Sequence, residues 1–175
     1  VMIANSASSN RVVANVISSN QSQGIRFNGF NGYANYVSGN AINGKNWQQN
    51  GITLALGKRN IVTNNDIQQN TVAGISVENS AETNRIVGNA IFLNAGRGIS
   101  LSNGLVRENR FVRNRIFANA GPAVTTRTGQ NNRFVNNVMY ANADGIKTHG
   151  GMSNEFINNI LLSNGTRGGK NNAPG

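Results

Sequence analysis

The chain has 175 residues, a length that suits one domain, and it carries a net charge of +10 from 16 basic and 6 acidic side chains. It contains no cysteine, which excludes a disulfide framework and a cysteine-based metal site. No apolar run approaches the roughly 20 residues of a membrane-spanning helix. The excess of positive charge favours polyanionic partners such as acidic polysaccharide, and the missing nucleic-acid recognition motif argues against nucleic acid.

Asparagines recur five residues apart in triplets, and each triplet returns after 22 to 25 residues. The triplets are Asn10/Asn15/Asn20, Asn60/Asn65/Asn70, Asn84/Asn89/Asn94, Asn109/Asn114/Asn119, Asn132/Asn137/Asn142 and Asn154/Asn159/Asn164. One further repeat has Asn35 and Asn40, with Lys45 in the third position. A repeat of this length predicts a solenoid in which each repeat forms one coil.

Apolar residues occupy fixed positions relative to these asparagines. The second position after the leading asparagine holds Val12, Val37, Val62, Ile86, Phe111, Phe134 and Phe156, and the seventh holds Ile17, Ile42, Ile67, Ile91, Ile116, Met139 and Leu161. A third apolar run, which follows a glycine in most repeats, begins at Ile25, Ile52, Ile75, Ile99, Val124 and Ile146. Each repeat therefore predicts three short strands separated by bends that contain Asn and Gly.

These columns predict an all-β fold over residues 1–165, a single-stranded right-handed parallel β-helix of about seven coils. Stacked coils place like residues on like, so the asparagines are expected to face inward as hydrogen-bonded ladders. Asparagine also tolerates the left-handed backbone conformation at such corners. Residues 166–175 lose the pattern and are predicted to be a flexible C-terminal tail. A leucine-rich repeat is disfavoured because the leucine spacing of that fold is missing.

The unit N-x-[VIF]-x-x-N-x-[IML]-x-x-N followed by G-I resembles the right-handed β-helix family of carbohydrate-binding and sugar-hydrolase domains. Segments 84–91 and 132–137 are typical of it. The family includes alginate C5-epimerases, polysaccharide lyases and copper-centre maturation proteins of the NosD type. The resemblance implies a carbohydrate-related function. The Asp-Pro-His run of the epimerases is missing, because neither Pro122 nor Pro174 is followed by histidine.

Two outward-facing columns are candidate ligand-binding surfaces. Arg85, Arg110 and Arg133 form one column, and Arg107, Arg113, Arg115 and Arg127 add charge to the same half of the chain. Neighbouring arginines in such a column repel each other, so an anionic ligand would stabilise it. Phe92, Phe117 and Tyr140 form the second column, whose ring faces could stack on sugar rings or on a neighbouring rod. The alternatives are a solvated arginine face and an aromatic column that is folded under a loop or into the core.

The last two repeats bring Arg127, Lys147 and His149 together beside the glycine-preceded strands. Elimination from a uronic acid requires a base and a cation that stabilises the carboxylate. Lys147 or His149 could be the base, and Arg127 the cation. The competing interpretation is that His149 is an ordinary surface residue. No cofactor and no metal site are expected, because the single histidine and the scattered acidic residues do not form a ligand set.

Two irregular stretches, 24–33 and 45–50, interrupt the pattern near the N-terminal end, and loops on one side of a solenoid often form its binding face. The favoured function is binding of an extended anionic polysaccharide by a module or fragment of a larger secreted protein. The alternatives are a self-associating structural rod and a polyuronate lyase or C5-epimerase fragment. The expected location is secreted, periplasmic or at the cell surface.

Overall fold

The computed structural model describes residues 1–29 and 33–165, and in these residues all regular structure is β-strand. The strands form seven coils, and each coil contributes one strand to each of three seven-stranded parallel sheets. This architecture confirms the predicted parallel β-helix, its number of coils and its three short strands per coil. The predicted tail, 166–175, lies outside the described residues.

The strands follow one another around the coils in a constant order. They are β1 (Met2–Ala4), β2 (Arg11–Val13) and β3 (Val16–Ser18) in coil 1; β4 (Gln23–Asn28), β5 (Tyr36–Ser38) and β6 (Ala41–Asn43) in coil 2; β7 (Asn50–Ala55), β8 (Ile61–Thr63) and β9 (Asp66–Gln68) in coil 3; β10 (Ala73–Glu78), β11 (Arg85–Val87) and β12 (Ala90–Phe92) in coil 4; β13 (Arg97–Ser102), β14 (Val106–Arg107), β15 (Arg110–Val112) and β16 (Arg115–Phe117) in coil 5; β17 (Val124–Thr126), β18 (Gly129–Gln130), β19 (Arg133–Val135) and β20 (Val138–Tyr140) in coil 6; and β21 (Ile146–Thr148), β22 (Glu155–Ile157) and β23 (Ile160–Leu162) in coil 7.

Three names identify the sheets. The glycine sheet runs β1-β4-β7-β10-β13-β17-β21, the arginine sheet β2-β5-β8-β11-β15-β19-β22, and the aromatic sheet β3-β6-β9-β12-β16-β20-β23. Each strand of the last two sheets has three residues, and the middle residue points into the core. The first and third residues therefore face outward, because side chains alternate along a strand.

The register places equivalent residues of successive coils side by side. Ile86, for example, pairs with Val62 on one side and Phe111 on the other. The rings of Phe111 and Phe134 stack in the core with centroids 4.4 Å apart. Exposure of the core columns rises slightly in the first coil, where Val12 is 9% exposed, and most in the last coil, where Phe156 is 36% exposed. The apolar columns that the sequence identified are thus the core of the molecule.

A fourth, minimal ladder lies at the bend between the glycine sheet and the arginine sheet. It consists of β14, β18 and isolated parallel bridges that join Tyr33 to Lys58, Lys58 to Glu82, Glu82 to Arg107, and Gln130 to Met152. The sequence pattern did not predict it, because its residue types vary from coil to coil. It positions charged side chains of different coils next to each other.

The asparagines form three continuous hydrogen-bonded columns along the rod, as predicted. The side-chain oxygen Oδ1 of Asn65 accepts bonds from both the backbone N–H and Nδ2 of Asn40, at 3.0 and 2.9 Å. Its own Nδ2 donates to Oδ1 of Asn89 at 2.9 Å and back to the carbonyl of Val37 at 3.1 Å. One buried side chain thus satisfies backbone groups in two coils, which the bend would otherwise leave without a partner.

The left-handed residue at each of these corners is the one before the ladder asparagine. Every ladder asparagine is preceded by a residue with φ between 47° and 65°, such as Asn64 before Asn65 or Arg113 before Asn114. The asparagine itself keeps negative φ, so its side chain can point inward to the ladder. Most of the preceding residues are not glycine, and their strained conformation persists because the ladder bonds fix the bend on both sides.

The prediction that Lys45 replaces an asparagine in the third column is wrong. Lys45 is exposed, and Gln48 occupies the position instead, fully buried. Its Oε1 accepts a bond from Nδ2 of Asn20 at 3.0 Å, and its Nε2 donates to Oδ1 of Asn70 at 2.7 Å. The column therefore continues through the irregular coil because glutamine carries the same amide group.

Replacement of Asn65 by alanine should lower the free energy of unfolding by about 3 kcal/mol, because it removes five hydrogen bonds and leaves buried groups without partners. The measurement is urea unfolding followed by far-ultraviolet circular dichroism. The control is Asn64→Gly, which removes an exposed amide at a position with φ 53° that glycine adopts freely. A similar loss of stability in both variants would show that the ladder amide has no special role.

Candidate functional site

The predicted arginine column lies on the outer face of the arginine sheet. Arg85, Arg110 and Arg133 are exposed and occupy paired positions of adjacent strands. At the strand separation of about 4.8 Å, two unit charges in water repel by about 1 kcal/mol. In coil 5 the charge extends around the bend to the aromatic sheet, because Arg113 and Arg115 are also exposed there.

Two of the basic residues in this region share the carboxylate of Glu82 in the fourth ladder. Glu82 bonds Lys58 on one side and Arg107 on the other, each at 2.7 Å. Hydrogen bonds from Lys58 and Arg107 lower the pKa of Glu82 from its ordinary value, and the bond to Glu82 raises the pKa of Arg107. Arg133 pairs with Glu155 at 2.8 Å in the last coil. Within the described part of the chain, Arg85 and Arg110 form no salt bridge, so they are the members of the row without an acidic partner.

The predicted aromatic column lies on the outer face of the aromatic sheet and is half-buried. Phe92, Phe117 and Tyr140 stack nearly parallel, with successive centroids 4.9 Å apart. The guanidinium of Arg115 lies 5.4 Å from the centre of the Phe117 ring, and its Nη2 donates to the hydroxyl of Tyr140 at 3.4 Å. Phe117 stacks on a ring at each face, whereas Phe92 and Tyr140 each stack on one ring of the column. The rings stabilise one another through these contacts, and a role of the column in ligand binding stays a prediction.

Arg127, Lys147 and His149 lie on one side of the molecule, on and beside the last two strands of the glycine sheet. Thr126 pairs with Thr148, so Arg127 and His149 occupy neighbouring positions in adjacent coils. All three side chains are exposed. In the described residues, no side-chain hydrogen bond orients the His149 imidazole. The structure brings the three residues to one surface, and their catalytic role stays a prediction.

The irregular stretch 45–50 forms a surface loop from which Trp47 and Lys45 project, and the buried ladder residue Gln48 lies within it. The sequence did not indicate the Glu82 network, which joins three coils through a ladder with no repeated residue type. No group of three or more His, Asp or Glu side chains in the described residues is arranged to hold a metal ion. The described part of the chain also contains no helix with the length and apolarity that crossing a bilayer requires.

Comparison with known proteins agrees with this geometry. The family model described as "Right handed beta helix region" matches residues 1–161. The chain belongs to the right-handed β-helix family. No curated protein sequence matches this β-helix significantly.

Solved structures similar to this β-helix include proteins that act on polysaccharide. The periplasmic alginate epimerase AlgG superposes with a TM-score of 0.73 at 16% identity over 89% of this chain and 46% of that chain. The mannuronan C-5 epimerase AlgE4 A-module of Azotobacter vinelandii gives 0.68 at 15% identity over 90% of this chain and 54% of that chain. Tailspike protein 2 of the Escherichia coli O157:H7 bacteriophage CAB120 gives 0.53 at 12% identity over 84% and 22%. This β-helix spans about half the length of the two epimerases, and at these identities the likeness shows the fold alone.

Replacement of Glu82 by glutamine should make the stability of the β-helix less sensitive to acid. The folded-state pKa of Glu82 is depressed, so its contribution is present above the unfolded pKa, near 4.5, and is lost as the pH falls through the lower folded value. The partners are half-exposed, and the contribution at neutral pH is about 1 kcal/mol or less. The measurement is unfolding in urea at several pH values between neutral and acid. Glu108→Gln, an exposed carboxylate without a salt bridge in the described residues, is the control, and equal slopes in both variants would contradict the assignment.

Replacement of Phe117 by alanine should lower the free energy of unfolding by about 1–2 kcal/mol, because the ring is half-buried and loses stacking contacts on both faces. Phe92→Ala is the matched control, since Phe92 stacks on one aromatic neighbour and should lose less. Thermal unfolding of both variants measures the difference. If Phe117→Ala left stability unchanged but abolished retention on polyuronate resin, the column would be a ligand contact and not a stabilising stack.

Proposed function

We propose that this β-helix binds an extended anionic polysaccharide along the outer face of the arginine sheet. The observation that carries the proposal is the row of exposed arginines in register, with Arg85 and Arg110 free of acidic partners in the described residues. The binding module would belong to a larger protein that is secreted, periplasmic or on the cell surface.

The spacing of the row suits a polymer that lies along the rod. Each coil advances the surface by about 4.8 Å, which is comparable with the length of one sugar ring in an extended chain. A polyuronate carries a carboxylate on every ring, so the spacing of charge along such a polymer is close to the spacing of the arginines along the row. Binding would also relieve the repulsion between neighbouring arginines, which gives the row a physical reason to bind polyanions.

The neighbours provide independent support for the class of ligand. Two of the similar structures are named as enzymes of alginate or mannuronan, which are chains of acidic sugars. Coil 5 widens the positive surface, since Arg113 and Arg115 continue it around the bend from Arg110. Glu155 pairs with Arg133 at one end of the row, and Glu82 shares its negative charge between Lys58 and Arg107 at the adjacent bend, whereas Arg85 and Arg110 form no salt bridge in the described residues.

The test is retention of the double variant Arg85→Ala/Arg110→Ala on immobilised alginate, pectate and heparin at increasing salt. We expect elution at lower salt and an affinity about tenfold weaker, which corresponds to about 1.4 kcal/mol shared by two contacts. Far-ultraviolet circular dichroism should be unchanged, because both side chains are exposed.

The matched control is Arg127→Ala/Lys147→Ala, which removes the same charge from the glycine sheet and should bind as the unmodified chain does. Equal loss in both double variants would show that only net charge matters and would reject the arginine row. Loss in the control alone would move the binding surface to the glycine sheet, where a lyase-type site is the alternative. Indifference of the unmodified chain to all three resins would reject polyanion binding altogether.

A further inference from the structure

The loop between β6 and β7, residues 44–49, departs from the repeat in a specific way. Eight positions separate Asn40 from Gln48, where five separate Asn65 from Asn70. The added residues are accommodated before the ladder position, and the longer loop still delivers a buried amide to the third column. This loop, the Trp47 loop, therefore projects from the coil without interrupting the ladder.

The Trp47 loop is held rigidly, although it is an insertion. Each backbone amide from Gly44 to Asn50 donates a hydrogen bond: Gly44 to Gln68 O (3.0 Å), Lys45 to Asn43 Oδ1 (2.9 Å), Asn46 to Gln69 O (2.9 Å), Trp47 and Gln48 to Gly44 O (3.0 and 3.2 Å), and Gln49 and Asn50 to Ser22 O (2.8 and 3.2 Å). Lys45 and Asn46 adopt the left-handed conformation, with φ of 47° and 61°. A Cβ on Gly44 would meet the carbonyl oxygen of Gln69 at 2.5 Å, so the loop is also closely packed against the next coil.

This rigid base presents Trp47 to solvent. Trp47 is the only tryptophan of the chain, and it is 75% exposed. Its neighbours in the loop, Lys45, Asn46 and Gln49, are also exposed and all carry polar groups. An indole held outward on a preordered backbone loses little conformational entropy when a ligand binds, which is the property of aromatic contact residues in recognition sites.

We propose that Trp47 and Lys45 form a second contact for the anionic polysaccharide, in which the indole stacks on a sugar ring and Lys45 pairs with its acidic group. The negative face of an aromatic ring attracts the weakly positive C–H groups of a pyranose, and the ammonium group meets the carboxylate or sulfate. Unlike the rings of the aromatic sheet, Trp47 has no aromatic neighbour stacked on it in the described residues. This proposal rests on the proposed function, since it assumes the same class of ligand.

The chemistry of the loop favours a sugar over a protein partner. A stable protein interface buries about 1,200 Å² or more in total, which one indole and a short polar loop do not supply. Two copies of this chain would each bring a net charge of +10, and their loops would bring two lysines together. The contact lies between coils 2 and 3, whereas Arg85 to Arg133 lie in coils 4 to 6 on another face. A long polymer that reached both would bind more tightly than short fragments do.

The single tryptophan makes the test direct. Short oligosaccharides of mannuronate, of galacturonate and of neutral xylose are titrated into the full chain, with emission and acrylamide quenching of Trp47 as the readout. We expect the acidic oligosaccharides to protect Trp47 from quenching, with an affinity about tenfold weaker in Lys45→Ala. Trp47→Ala should bind the long polymer about tenfold more weakly with an unchanged melting temperature, and Trp47→Phe should retain part of the affinity.

The outcomes separate this contact from the arginine row. Protection of Trp47 in both the unmodified chain and Arg85→Ala/Arg110→Ala supports the Trp47 contact, even if the resins reject the arginine row. Quenching that no oligosaccharide alters overturns it, even if the resins retain the chain. Emission that changes with protein concentration in the absence of sugar also overturns it, because a second copy would then cover the indole.

Discussion

The amide ladder is the constraint on which the whole structure depends. A coil of three short strands turns three sharp corners, and every corner directs backbone N–H and C=O groups toward the buried apolar core. The ladder asparagine bonds both kinds of backbone group. Its oxygen accepts hydrogen bonds from the preceding coil, and its Nδ2 donates to the asparagine of the next coil and to a carbonyl of the preceding coil. Because every amide in a column points the same way, each bond polarises the next. This arrangement tolerates the left-handed residue before each asparagine, which would be costly alone.

The same constraint decides what the surface can do. Three-residue strands leave two outward positions each, and the parallel register places like beside like at the strand separation. Identical charges therefore accumulate into rows, as at Arg85 and Arg110, and identical rings stack until they hide their own faces, as at Phe117. Stacking thus has opposite consequences for the two columns. In the arginine row it concentrates positive charge that can attract a ligand. In the aromatic column it covers the faces of a ring such as Phe117, so that these faces cannot contact a ligand.

The sequence predicted the features that repeat and missed those that do not. Fold, coil number, core columns and the arginine row follow from periodicity, because a residue that returns at a fixed interval must return to the same environment. Glu82 could not be found this way, since its partners Lys58 and Arg107 are brought together by a bend ladder of unlike residues. In coil 2 the five-residue spacing predicts Lys45 as the residue of the third ladder column. The insertion before Gln48 breaks that spacing, so the prediction falls on the wrong residue. The placement of the left-handed residue before the asparagine depends on backbone geometry that residue types do not specify.

The exchange of asparagine for glutamine at position 48 shows how such a scaffold acquires a new surface. An insertion ahead of a ladder position would normally remove an amide from the column, which would take the acceptor from Asn20 Nδ2 and the donor from Asn70 Oδ1. Glutamine keeps the amide group and has one more methylene than asparagine. The backbone at position 48 can therefore lie farther from the ladder column than the backbone of a ladder asparagine does. The added residues must then lie outside the coil, and their amides find partners in the adjacent bends. The inserted residues are thereby directed toward solvent, and the exposed indole of Trp47 lies at the corner where glutamine replaces asparagine in the ladder.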